Sequence, residues 1–105
     1  MALSGRDESE AEVEVHVDLY GSFREAAKTS RLSVKLPGVG TVRELLQRLA
    51  AGYGPSFQAA LFQDDGELKH DAVLLLNQAV LTMRELDRAL RTGDRVTLYQ
   101  TISGG

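Results

Sequence analysis

The residues best placed to do chemistry are the last two. Gly104 and Gly105 come directly after a stretch that alternates like a β-strand, and the α-carboxylate of Gly105 stands at the tip. A carboxylate acylates nothing until one of its oxygens becomes part of a leaving group. Adenylation by ATP does that, after which a sulfur or amine nucleophile can attack the carbonyl carbon. Glycine has no Cβ, so a Gly-Gly end passes through a channel that other residues would block. Counted from Gln100, residues 100–105 reach roughly 20 Å when extended. A flexible tail with no role of its own is the competing reading of the same six residues.

Other candidate constellations fail on spacing. His16 and His70 are far apart, and Asp64, Asp65, Glu67 and Asp71 near His70 match no calcium-loop pattern, so no metal site is expected. Ser22, Ser56 and Ser103 lack a nucleophile-elbow context. Gly38 and Gly40 precede a helix, but Arg43 occupies the third glycine position of a dinucleotide fingerprint. Lys28-Thr29 follows Ala27 rather than the glycine a phosphate loop needs. Arg84, Arg88 and Arg91 form a basic stripe, which reads as a solvated face paired with Glu85 and Asp87, with partner binding as the alternative.

Positioning the tail falls to a single small domain, since 105 residues leave no room for two. Twelve Lys and Arg against 15 Asp and Glu give a net charge of -3, a poor match to a nucleic-acid backbone. Aromatics at 6% argue against base stacking, and the lack of cysteine excludes disulfides and thiol chemistry. The longest apolar run, Ala72-Val73-Leu74-Leu75-Leu76, is far short of the about 20 residues of a membrane span. No signal peptide is visible, so the cytoplasm is the expected compartment. Residues 1–12, rich in Asp7, Glu8, Glu10 and Glu12, read as a disordered leader before a domain at 13–100 and a tail at 101–105.

Val13, Val15, Val17 and Leu19 alternate with Glu14, His16, Asp18 and Tyr20, which predicts a half-buried strand. Leu32, Val34 and Leu36 predict a second, antiparallel to the first, with a short helical turn around Phe23 to Ala27 between them. Thr41 and Glu44 have capping-box spacing, and Val42, Leu45, Leu46, Leu49, Ala50 and Tyr53 make one helical stripe that ends at Gly54-Pro55. Phe57, Leu61 and Phe62 predict a satellite turn or short helix. Residues 72–77 read as a fully buried strand. Thr82 and Glu85 open a short helix with Met83, Leu86 and Leu90 inward, and residues 95–100 form the last strand with Val96 and Leu98 inward. TVREL at 41–45 and TMREL at 82–86 share helix-start grammar without being a repeat. The order predicts an α+β domain, a mixed sheet packed on one principal helix, with Leu45, Leu46 and Leu49 buried against Val15, Val17, Val34, Leu75, Val96 and Leu98.

Several segments in order, LYGSFREAA at 19–27, Leu36-Pro37 with TVRELL at 41–46, Leu75-Leu76-Asn77, GDRV at 93–96 and ISGG at 102–105, resemble the ubiquitin-like sulfur-carrier family. That family is typified by the small subunit of molybdopterin synthase and includes the thiamine sulfur carrier and the small archaeal modifier proteins. The resemblance implies a ubiquitin-like β-grasp fold and a non-catalytic carrier that holds no cofactor. It implies that a ubiquitin-activating-type enzyme uses ATP to adenylate Gly105. Gly105 then carries a thiocarboxylate, or forms an isopeptide bond to target-protein lysines. Ile102, Ser103, Gly104 and Gly105 would enter the partner, which for a molybdopterin-type member is the large synthase subunit. Gln100-Thr101 stand where many such subunits carry two prolines, and Gln78 follows Asn77 where glycine is usual. A noncovalent β-grasp adaptor whose Gly-Gly is incidental is the reading that dispenses with activation.

Overall fold

Strand β1 (Val13–Leu19) follows its alternation: Val15, Val17 and Leu19 are fully buried, and Glu14, His16 and Asp18 lie on the opposite face. A computed structural model of the chain describes residues 12–37 and 40–101. Residues 1–11 of the expected leader lie outside the described residues. Strand β2 (Arg31–Leu36) pairs antiparallel with β1, Val15 opposite Val34 and Val17 opposite Leu32. The connection between them is a full helix, α1 (Gly21–Ala27), longer than the turn expected around Phe23. It buries Phe23 and Ala27 and ends at Lys28 in the left-handed region, φ 62°.

Helix α2 (Val42–Tyr53) is the principal helix, and Val42, Leu45, Leu46, Leu49 and Ala50 are its buried face. Thr41 Oγ1 accepts from the Glu44 N–H at 3.2 Å. The reciprocal bond of a capping box is not made there among the described residues. Gly40 before it has to be glycine, because an added Cβ would sit 2.7 Å from Leu36 Cβ. Gly54, at φ 92°, closes α2, and Pro55 opens α3 (Pro55–Leu61) with a ring suited to a first helical turn. The Phe57 ring packs at 5.4 Å from Phe23 and 5.5 Å from Tyr53, which ties α3 to α1 and α2.

Strands β3 (Ala72–Leu76), β4 (Ala79–Val80) and β5 (Arg95–Gln100) complete one sheet in the order β2-β1-β5-β3-β4. Strand β5 is parallel to β1 and antiparallel to β3. The sheet is mixed and its buried face lies under the helices, the β-grasp arrangement. Leu74 and Leu76 point into the core with Val96 and Leu98. Leu75 does not, which corrects the expected core. Its strand is interior in hydrogen bonding, but among the described residues no helix covers its second face, and Val73 and Leu75 are only half-buried. Val34 is likewise only partly buried, packed against the rim of the core.

Strand β4 escaped the sequence reading, because two residues carry no alternation. A tight turn makes it: Asn77 and Gln78 both have positive φ, 51° and 78°, as a type I′ hairpin requires. Asn77 is also a lock. Its Nδ2 donates to Asp94 Oδ1 at 3.0 Å, and its Oδ1 accepts from the Arg95 N–H at 2.9 Å. The expected second helix is one 3₁₀ turn, Met83–Glu85, though its capping box is complete. Leu86 and Leu90 are buried as expected, while the Met83 side chain lies outside the described residues. The Thr82 backbone N–H, 2.9 Å away, holds the Glu85 carboxyl below its ordinary value of 4.5, helped by the Thr82 hydroxyl, opposed by desolvation, and helped least by Arg88.

Three outcomes follow from this packing. Leu46→Ala should lose about 2–5 kcal/mol in urea unfolding, and a loss under about half a kcal/mol would mean that Leu46 is not in the core. Gln78→Gly should gain about 0.5–1 kcal/mol, since relief of roughly 1–2 kcal/mol of left-handed strain exceeds glycine's entropy cost of roughly 0.5–1 kcal/mol; a lower unfolding midpoint would rule out a strained turn. The Glu85 carboxyl should titrate in the folded protein below 4.5 by carbon-detected NMR. Its pKa is depressed on folding, so its contribution is present above that value and fades as pH falls through the folded midpoint. A midpoint at or above 4.5 would show that the capping box is open.

Candidate functional site

The chain leaves the sheet from its centre. Strand β5 lies between β1 and β3, and its last residue, Gln100, is opposite Ala72. The Thr101 N–H still donates to the Asp71 carbonyl at 2.9 Å. The backbone is therefore held one residue further than the sequence reading allowed. Four residues follow, and fully extended they span at most about 14 Å, shorter than the reach counted from Gln100. Those four, Ile102, Ser103, Gly104 and Gly105, are the expected site residues, and they lie outside the described residues. What the structure fixes is the root from which they start. At that root the Tyr20 N–H donates to the Leu98 carbonyl at 3.1 Å, so the end of β1 is tied to β5 beside the exit.

The uncovered face of the sheet begins at this root. Tyr99 is opposite Val73, Thr97 opposite Leu75, and Leu75 opposite Val80. Tyr20 is 52% exposed and Val80 64%, the two large apolar side chains that stand out into solvent among the described residues. Together these residues form an apolar strip across β5, β3 and β4. The sequence hid it in two ways. Tyr20 reads as a polar-face residue of the first strand, and Val73 and Leu75 sit in an unbroken apolar run that reads as buried on both sides.

The remaining candidates stay separate. His16 stands on β1 with Ser33 Oγ 3.3 Å from its Nδ1, and His70 lies in the turn before β3. The acidic residues near His70 form an ordinary turn, in which Asp65 Oδ1 accepts from the Glu67 N–H at 3.0 Å. Among the described residues, no three His, Asp or Glu side chains gather as metal ligands. Ser22 and Ser56 belong to α1 and α3, and Ser103 lies outside the described residues. Of the basic stripe, Arg88 lies 3.7 Å from Glu85, whereas Asp87 pairs at 2.9 Å with Arg43 of α2 rather than with the stripe. No helix among the described residues is long and apolar enough to cross a membrane.

Comparison with known proteins places this geometry. The family model described as the ThiS family matches residues 17–105. Small archaeal modifier protein 1 from Haloferax volcanii superposes with a TM-score of 0.76 at 29% identity, over 88% of this chain and 99% of that one. Small archaeal modifier protein 1 from Methanosarcina acetivorans gives 0.72 at 28% identity, over 90% and 98%. Urm1 from Trypanosoma brucei gives 0.66 at 25% identity, over 90% and 97%. Among curated protein sequences, none matches the chain.

Proposed function

Since the chain belongs to the ThiS family of ubiquitin-like sulfur carriers and modifiers, we propose that it is a sulfur carrier whose working group is the carboxylate of Gly105. The observation that carries this reading is the extent of the family match, which runs through Ile102-Ser103-Gly104-Gly105, on a tail that issues from the centre of the sheet. In the first step a Gly105 carboxylate oxygen attacks the α-phosphorus of ATP and pyrophosphate leaves. In the second, a hydrosulfide sulfur attacks the carbonyl carbon, the C–O bond to the adenylate breaks, AMP leaves, and loss of the sulfur-bound proton gives the thiocarboxylate. The chain supplies the acyl group and its presentation, and an activating enzyme of the ubiquitin-activating type supplies the catalysis. The thiocarboxylate sulfur then attacks an electrophilic carbon of an acceptor such as the molybdopterin precursor, on a large synthase subunit, and water cleaves the resulting thioester, leaving the sulfur on the acceptor and returning Gly105 to its carboxylate.

A second reading shares the first step. If a lysine amine attacks in place of sulfur, the product is an isopeptide bond, and the chain is a protein modifier. The likeness to small archaeal modifier protein 1 favours it. A noncovalent β-grasp adaptor would need neither step.

Intact mass after incubation with the activating enzyme, ATP and a sulfur donor should show one oxygen replaced by sulfur, and fragmentation should place the change on Gly105. One extra residue after Gly105 should abolish the exchange, and Gly105→Ala should impair it less. Conjugates on lysines, lost when Gly104 and Gly105 are deleted, would favour the modifier. An unmodified terminus, together with full function of the Gly-Gly-deleted protein, would leave only the adaptor.

A further inference from the structure

Away from the tail, the uncovered face of β1, β2 and β5 carries a second constellation. Asp18 stands directly opposite Arg31 on β2, and His16 is opposite both Ser33 on β2 and Arg95 on β5. Arg95 Nη1 donates to both Asp18 oxygens, at 2.9 and 2.8 Å. Arg31 Nε lies 3.6 Å from Asp18, too long for a good hydrogen bond. The Asp18 side chain is only 13% exposed, so its charge is covered while both guanidinium groups stay in solvent. Among the described residues, Arg95 Nε and Nη2 have no protein acceptor. These side chains line a depression of about 260 Å³.

The charges do not cancel. Two guanidinium groups face one carboxylate, and the neighbouring Lys35 is opposite Glu14 on β1. The depression keeps one net positive charge, with the Ser33 hydroxyl and the His16 ring, 3.3 Å apart, able to turn further donors toward a guest. Arg31 and Ser33 on β2, His16 on β1 and Arg95 on β5 line the same depression, and donors supplied by three strands can meet a tetrahedral acceptor from several sides. The geometry points to an oxyanion subsite formed by Arg31, Ser33, His16 and Arg95, with Asp18 as the residue that positions Arg95, taking the phosphate group of a small molecule. The ligand is free phosphate or the phosphate of a nucleotide. The subsite does not depend on the tail chemistry.

The test is an NMR titration of the full chain with inorganic phosphate, and separately with ADP, against sodium chloride at matched ionic strength. Saturable shifts should be confined to His16, Asp18, Arg31, Ser33 and Arg95, with a dissociation constant of about 1–10 mM, as an exposed charged site allows. Arg31→Gln and Arg95→Gln should each weaken binding about fivefold or more, and Ser33→Ala about twofold. Ser33→Ala removes only an exposed hydroxyl, so it keeps the test valid if Arg95→Gln disturbs the fold. Arg48→Gln, on the exposed side of α2, should change nothing. ADP binding tenfold tighter than phosphate assigns the subsite to a nucleotide, and equal binding assigns it to free phosphate. Shifts reproduced by sodium chloride, or equal weakening by Arg48→Gln, would overturn the proposal.

Discussion

The parallel pairing of β1 with β5 is the contact on which the rest of this molecule depends. It joins the first strand of the domain to the last, Val17 to Val96 and Leu19 to Leu98, and puts both pairs at the floor of the core. Parallel neighbours need a crossover, and the crossover that carries the helices packs back on one side of the sheet. The α2 stripe then has a surface to cover, and the opposite face has none. Strand β5 is paired with β1 along residues 95–98 and with β3 along residues 96–100, so the chain leaves the sheet along the strand axis. The exit at Thr101 is a consequence of this pairing rather than a separate device.

Much of this was legible in the sequence because burial on one face leaves a period in the letters. Val13 to Leu19 and the 42–53 stripe show their periods plainly, and both elements formed where they were expected. The period failed where both faces carry apolar residues. In Ala72–Leu76 the outward Val73 and Leu75 cannot be told from the inward Leu74 and Leu76, so the strip beside the tail went unseen. It failed again where an element is too short to have a period, as in β4, and where a helix-start signal was followed by only one turn, as after Thr82. For the candidate site the residue types at 102–105 suggested the proposed chemistry. The root that holds them required knowing that β5 lies between β1 and β3.

The core rejects a slip of one residue but, being wholly apolar, separates a slip of two residues less sharply. No polar or charged side chain is buried among the described residues. Apolar contacts are nondirectional, although a slip of one residue would turn a whole strand inside out. Directional bonds at the surface add the remaining selectivity. Asn77 and Asp94 clasp the β3–β4 turn to the start of β5, and the Asp94 carbonyl accepts from the His16 N–H at 2.8 Å. Asp18 bridges β1 to β5 and approaches Arg31 on β2. The same polar residues that fix the strands also leave guanidinium groups facing solvent.

The central position of β5 also bears on mechanical force. A load applied to the tail runs along the β5 axis, while the hydrogen bonds that hold it to β1 and β3 run across that axis. Pulling therefore shears two ladders at once, and their bonds must fail together instead of opening one after another as in a peeled hairpin. Resistance to such a pull is set by the unfolding barrier rather than by equilibrium stability. A motor that grips the chain by this end meets the central strand of the sheet first.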